Sequence, residues 1–177
     1  MREKSRAGKP WHFSSGLTMI EMLMVLALIG IAAALAVPGF SRWLPDYRLR
    51  RAVNVLHAHL QQAKLTAVKQ NCKCSIRYET DPDRYIMSVV GKTVYLEDYG
   101  DQGDILFVNN PQTGGSSPPA PTINFNSRGI ISSSGVTGGV TASYAYLSNR
   151  ERRAYYRVGS TTAGEIRTQK WTGTSWQ

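Results

Sequence analysis

The sequence feature that most constrains the fold is a long apolar run close to the N-terminus. The segment Met22 to Val37 contains no charged or strongly polar side chain, and Leu17 to Ile20 extend it on the N-terminal side. Together they reach the ~20 residues that a helix needs to cross the hydrocarbon core of a bilayer. Basic residues precede the run, so we expect the leader to stay in the cytoplasm and the rest to be exported.

One carboxylate, that of Glu21, lies at the front edge of the apolar run. An unpaired carboxylate in hydrocarbon is costly, so it implies a partner unless the side chain reaches back to the membrane surface. A secretory signal peptide with Ala34-Leu35-Ala36 as its cleavage site is a second interpretation of the run. Two observations oppose it, because the acid would weaken a signal peptide and the helical pattern continues past that site.

A helical pattern resumes after Pro38 and Gly39. Apolar residues recur mainly at steps of three and four, as on one face of an α-helix. They are Leu49, Ala52, Val53, Leu56, Leu60, Ala63 and Ala67. We therefore predict one long helix from about Leu17 to about Lys69, apolar all round in its first half and amphipathic in its second. Pro38 should kink or locally unwind it, because proline removes a backbone donor and clashes with the preceding turn.

The segment Gly16-Leu17-Thr18-Met19-Ile20-Glu21 resembles the processing site of type IV pilins and of type II secretion pseudopilins. In that class a prepilin peptidase cuts after the glycine and methylates the new N-terminal amine. The resemblance thus implies cleavage between Gly16 and Leu17 and N-methylation of Leu17. Glu21 matches the glutamate usual at the fifth position after the cut, and Pro38 matches a recurrent proline. Leu17 departs from the usual phenylalanine but is also bulky and apolar.

The same resemblance implies how the chain is organised and assembled. The leader would be residues 1–16, the membrane and assembly half of the helix 17–44, and the periplasmic or extracellular head 45–177. The amine of Leu17 in one subunit would neutralise Glu21 of its neighbour as a subunit enters a fibre. The implied partners are the prepilin peptidase, the inner membrane and other pilins or pseudopilins. The subunit would cross the inner membrane once, with its N-terminus cytoplasmic, before it joins the fibre.

The remainder of the chain shows short β-type segments and no further long helical pattern. The predicted strands are Cys74–Tyr78, Arg84–Val90, Asp104–Val108, Thr122–Asn126, Val140–Leu147, Ala154–Val158 and Glu165–Trp171. Segments 109–121 and 132–139, rich in Gly, Pro and Ser, are predicted surface loops. We expect an α+β, pilin-like fold in which an antiparallel sheet packs on the amphipathic half of the helix.

Three head segments carry a second resemblance: "QQAKLTAVKQNCKCSIRYETDPDRYIM", "INFNSRG" and "YYRVGSTTAGEIRTQKW". They resemble the helix end, a strand with a glycine turn, and the closing strand pair of the minor pseudopilin family called GspH/FimT. That family often has a Gly-Arg-x-Arg motif in the closing pair; Gly164 and Arg167 match, but Glu165 replaces the first arginine. The resemblance implies a minor subunit at or near the tip of a type IV pilus or a type II secretion pseudopilus, where it helps to initiate assembly.

No pattern of catalysis or metal binding is found in the sequence. His57 and His59 are two residues apart on a helix and do not face each other, which excludes the usual metal pairing. No zinc-protease, nucleophile-elbow or phosphate-loop motif is present. The stretch "GDQGD" (100–104) lacks the ligand spacing of a calcium loop. We expect a protein that is not an enzyme and carries no cofactor or metal.

Two cysteines, Cys72 and Cys74, lie at the start of the first predicted strand. Residues two apart in a strand point the same way, so a disulfide would close a small, strained ring. Oxidation in the periplasm allows that disulfide. The alternative is that one or both are small buried hydrophobic residues.

A basic and aromatic region lies near the C-terminus. Six positive side chains stand against two negative ones between residues 150 and 170, with tyrosines and tryptophans interleaved. The positive residues are Arg150, Arg152, Arg153, Arg157, Arg167 and Lys170. Arginines with stacking aromatics suit sequence-independent binding of nucleic acid.

Some FimT-like members are DNA receptors for natural transformation and use basic residues of this C-terminal region. The alternative function is therefore a pilus-borne receptor for double-stranded DNA, although Glu165 would repel phosphate. Two other interpretations of the same charges stay open. They are a solvated strand edge whose charges oppose aggregation, and a surface for an acidic protein partner.

Overall fold

The computed structural model describes residues 17–100, 103–112, 122–132, 142–161 and 163–177. The chain divides into two compact units, with the boundary between Phe40 and Ser41. The leader, including Gly16, lies outside the described residues, as do most of the two predicted glycine- and proline-rich loops.

Helix α1 extends over Met19–Lys69, as the sequence predicted. Its first part, Met19–Ala36, has a mean hydropathy of 2.4 and no buried side chain, and by length and composition it can cross a membrane. The helix is continuous through Pro38 and through a second proline, Pro45. The chain therefore does not unwind at Pro38, and the kink there stays a prediction.

The second half of α1 is amphipathic as predicted. All seven residues of the predicted apolar face are buried, with no more than 4% of any of them exposed. They form a core with the inward side chains of the strands, among them Ile76, Phe125, Leu147 and Val158. Burying such a face against sheets is what stabilises a helix that would be marginal alone in water.

In the described residues, eight strands form two antiparallel sheets rather than the one sheet that was expected. The first sheet has the order β3-β2-β1-β5, and the second has the order β4-β6-β7-β8. The strands of the first sheet are β1 (Cys74–Thr80), β2 (Asp83–Met87), β3 (Lys92–Tyr95) and β5 (Thr122–Phe125). Those of the second are β4 (Ile105–Phe107), β6 (Ala142–Asn149), β7 (Tyr155–Thr161) and β8 (Ile166–Lys170).

Strand β3 was missed by the sequence analysis, which placed a single strand over Arg84–Val90. The chain instead turns after Met87 and returns through Gly91, whose φ of 61° lies in the left-handed region. Glycine adopts that region without steric cost, so it permits the tight reversal. A short 3-10 helix, Leu96–Tyr99, follows β3.

Polar side chains connect the second half of α1 to both sheets. His59 Nδ1 lies 2.6 Å from the hydroxyl of Tyr85 in β2. Arg50 Nε donates to the hydroxyl of Tyr156 in β7 at 3.1 Å, and His57 Nδ1 lies 2.9 Å from Thr168 Oγ1 in β8. The helix thus contacts the two sheets at once, which fixes the position of the second sheet and its basic residues.

Candidate functional site

The first turn of α1 carries a helix cap built from Thr18 and Glu21. The Thr18 hydroxyl accepts a hydrogen bond from the backbone N–H of Glu21 at 3.3 Å, and the Thr18 carbonyl accepts one from Met22 at 3.2 Å. A Thr-x-x-Glu sequence at this position is the pattern of a capping box. A carboxylate there also interacts favourably with the positive end of the helix dipole. Thr18 therefore caps the helix through the backbone of Glu21, and the Glu21 side chain stands at the capping-box position, which the sequence analysis did not identify.

Glu21 also keeps a carboxylate available to a neighbouring molecule. Within the described part of the chain it forms no ion pair, and its side chain is exposed. Leu17, the residue expected to become the new N-terminus, is 65% exposed. The neutralisation of Glu21 by a neighbouring amine stays a prediction.

The structure places the six basic residues of the C-terminal region in one turn and on the two faces of the second sheet. Arg150, Arg152 and Arg153 lie in or beside the turn that joins β6 to β7. Arg157 lies on the face of the second sheet that points away from α1, because its neighbours in β7, Tyr156 and Val158, belong to the core. Arg167 shares that outer face, because it is two residues from Gln169, the cross-strand partner of Arg157. The basic residues are therefore divided between a turn and the strands of the second sheet, and binding of DNA by this region stays a prediction.

Lys170 lies on the opposite face of the sheet from Arg157 and Arg167. In β8 it shares the side of Thr168, whose hydroxyl contacts His57 of α1. Alternate residues of a strand point to opposite faces, so residues 168 and 170 point toward the helix side while 167 and 169 point outward.

Arg157 is the centre of an aromatic cluster on the outer face. Its guanidinium carbon lies 4.5 Å from the ring centre of Tyr144 and 4.7 Å from that of Trp176. Its Nε also donates to Gln169 Oε1 at 2.8 Å. These cation–π contacts and the hydrogen bond hold the guanidinium on the protein surface. Its Nε and its guanidinium plane are thus already engaged within the chain.

Two of the remaining arginines are paired with glutamates. Arg153 Nε lies 2.7 Å from Glu151, and Arg167 lies at the same distance from Glu165. The hydrogen bond from Arg167 is the main cause that lowers the pKa of Glu165. Glu165, the residue that departs from the family motif, therefore neutralises the arginine that matches it. Such exposed pairs contribute little to stability, but they reduce the local positive charge.

The end of the chain forms a hairpin that the sequence analysis did not predict. Lys170 and Gln177 exchange two backbone hydrogen bonds of 2.6 and 3.0 Å, and Trp171 lies opposite Trp176. The two indole rings are 5.1 Å apart between centres. The available signal was "WTGTSW", in which Gly173, with a φ of 98°, lies between two strand-forming aromatics.

Cys72 and Cys74 lie close together at the junction of α1 and β1. Cys72 is in the turn before the strand, not within it, and Cys74 is fully buried. Both are free thiols with 3.5 Å between their sulfurs. Burial, with the contact to Cys72, raises the pKa of the Cys74 thiol to about 11. The disulfide stays a prediction.

An exposed apolar helix with a capped, acidic first turn, followed by an amphipathic half packed on antiparallel strands, defines the class of type IV pilins and pseudopilins. The prokaryotic N-terminal methylation motif matches residues 11–37. The family profile described as type II transport protein GspH matches residues 52–165, more than half of the chain, so the chain belongs to the GspH family. This is a family of structural subunits and not of enzymes. No curated protein and no solved structure matches the chain significantly.

Proposed function

We propose that the chain is a minor subunit that is cut after Gly16, N-methylated at Leu17 and assembled at or near the tip of its fibre. Before assembly it crosses the inner membrane once, with residues 1–16 in the cytoplasm and the head in the periplasm. The observation that carries this proposal is one continuous helix, α1, that links a methylation motif to a GspH-type head. The fibre is a type II secretion pseudopilus or a type IV pilus, and in either case this subunit helps to initiate assembly.

The N-terminus of the mature protein provides the direct test. The full chain is expressed with and without a prepilin peptidase, and its intact mass is measured. The expected product lacks residues 1–16 and carries one additional methyl group, and it appears only with the peptidase. A product that begins after Ala36 would instead identify an ordinary signal peptide and overturn the proposal. Purification of the mature subunit in complex with other minor subunits then tests the position at the tip.

DNA binding is the second candidate function, and one feature of the head favours it. The β6–β7 turn exposes Arg150 and Arg152. Among the described residues neither forms an ion pair with a glutamate, whereas Arg153 and Arg167 each do. Phosphate contacts release counterions, so DNA binding by this turn would fall steeply as salt is raised.

The test compares double alanine substitution of Arg150 and Arg152 with Arg167→Ala in the full chain over a salt series. If the turn binds DNA, the double variant loses binding and Arg167→Ala retains it. Absence of binding at low salt would leave the structural subunit alone.

A further inference from the structure

Two large aromatic side chains are exposed on α1 just beyond its apolar part. Trp43 is 55% exposed and Tyr47 is 50% exposed. Their rings are stacked, with centres 5.0 Å apart and planes at 23° to each other. Residues four apart share one side of a helix, so the pair forms a single aromatic surface. It is separate from the buried face, which begins at Leu49.

The sequence places this pair next to the end of any membrane span. Arg42 is the first charged residue after Glu21, and Trp43 follows it directly. A charged side chain is expelled from hydrocarbon, so the hydrocarbon core must end between Ala36 and Arg42. Tryptophan and tyrosine concentrate at the membrane–water interface, where an apolar ring and a polar N–H or O–H are both accommodated. Because the pair follows the end of the span directly, the environment that it would contact is the membrane–water interface.

Arginines follow the pair on the exposed side of the helix. Arg50 and Arg51 are both exposed. Arg50 uses its Nε to hold Tyr156, and Arg51 lies over the ring of Tyr99 at 5.8 Å. A guanidinium has five N–H donors, so both arginines retain N–H groups that can donate hydrogen bonds to lipid phosphates. Positive side chains close to a membrane are attracted to anionic lipids.

We propose that Trp43 and Tyr47 form an interfacial anchor that lies in the lipid headgroup layer where the span leaves the bilayer on the periplasmic side. This rests on the proposed function only in that the first half of α1 spans the membrane. The anchor fixes the depth of the span and holds the head at the membrane surface until the subunit is extracted into a fibre. Its ligand is the lipid interface and not a specific lipid.

Tryptophan fluorescence of the full chain tests this proposal. The sequence contains Trp11, Trp43, Trp171 and Trp176. Phenylalanine replaces all but Trp43 in one variant and all but Trp171 in the matched control. Both are reconstituted in vesicles of phosphatidylcholine and phosphatidylglycerol. Quenching is measured with lipids carrying a nitroxide on the headgroup or deep in the acyl chain, and with aqueous iodide.

The expected result is that the headgroup nitroxide quenches Trp43 at least about twofold more than the deep nitroxide does, and that iodide quenches Trp171 more than Trp43. Equal iodide quenching of both tryptophans, or strongest quenching by the deep nitroxide, would overturn the anchor. So would protection of Trp43 that appears only at high protein density, because a second copy would then cover it.

Flotation of the vesicles separates this proposal from the proposed function. A protein that floats with the vesicles but leaves Trp43 open to iodide contradicts the anchor alone. A protein that does not float contradicts both the anchor and the membrane stage of the proposed function. Cleavage by the prepilin peptidase is measured on the same variants and tests processing independently of either.

Discussion

The guanidinium of Arg157 lies over the ring of Trp176, with 4.7 Å from its central carbon to the ring centre. This contact joins the C-terminal hairpin to the outer face of the second sheet. Trp176 also lies 5.6 Å from Tyr146, which pairs with Arg157 across β6 and β7. Arg157, one of the six basic residues considered for DNA binding, therefore also has a structural role in the head.

Arg157→Ala should lower the free energy of unfolding by about 1–3 kcal/mol, because two cation–π contacts and a hydrogen bond are lost. Arg150→Ala is the matched control, since that exposed arginine makes no such contact with an aromatic ring in the described residues; it should change stability by less than about 0.5 kcal/mol. Urea denaturation of the full chain in detergent, followed by tryptophan fluorescence, measures both. Equal effects would contradict a structural role for Arg157.

Gly164→Ala should destabilise the head by about 2–4 kcal/mol. Its φ is 82°, and a Cβ there would collide with the carbonyl oxygen of Gly129. Gly91→Ala separates the two causes, because φ is 61° but no atom lies within 4 Å of the added Cβ. That control should cost only about 1 kcal/mol. If thermal unfolding shows the same loss of stability for both variants, the loss in Gly164→Ala comes from the backbone conformation and not from the contact with Gly129.

Tyr78→Phe should leave stability unchanged or raise it by about 1 kcal/mol. Tyr78 is 5% exposed, and its buried hydroxyl has no hydrogen-bond partner in the described residues, so its desolvation is uncompensated. Tyr85→Phe removes a hydroxyl that lies 2.6 Å from His59 Nδ1, and should cost about 1 kcal/mol. Chemical denaturation of the two variants provides the comparison. A clear loss in Tyr78→Phe would indicate a water or other partner at that hydroxyl.

The interaction of His59 with its surroundings predicts a pH dependence of stability. Burial, and then the charge of Lys92, lower the pKa of His59 below its ordinary value of 6.5. The unfolded chain therefore binds the proton more readily, and stability should fall as the pH is lowered from 6.5 through the folded-state pKa. In His59→Gln that part of the pH dependence should be absent. An unchanged pH profile of unfolding in this variant would rule out His59 as its source.

Glu21→Gln distinguishes the two roles available to Glu21. Glutamine retains a capping-box side chain at this position but removes the charge, whereas alanine removes both. If the carboxylate pairs with the amine of a neighbouring subunit, both variants should be cleaved normally and both should be depleted from sheared fibres. Immunoblots of the fibre and membrane fractions measure this. Normal incorporation of Glu21→Gln would show that only the helix cap matters.

The N-terminal half was largely predictable because its signals are local. An apolar run longer than a bilayer core can be identified without knowledge of any contact, and a spacing of three and four residues defines the buried face of a helix. Most strands were also predicted from their composition. The missed elements, β3 and the C-terminal hairpin, depend on the turns at Gly91 and Gly173, whose positive φ is a property of the folded backbone.

The sequence by itself determined the apolar helix that is long enough to cross a membrane, the methylation motif, the buried face of α1 and the family of the head. Only the tertiary structure decided how the basic residues are used. Strand register pairs Arg157 with Gln169 and brings it against Trp176, while the neighbouring pair of Glu165 and Arg167 cancels its own charge. Charge counted along a chain carries no information on which face of a sheet a side chain occupies. That depends on register and turns, which are set by packing between residues distant in sequence.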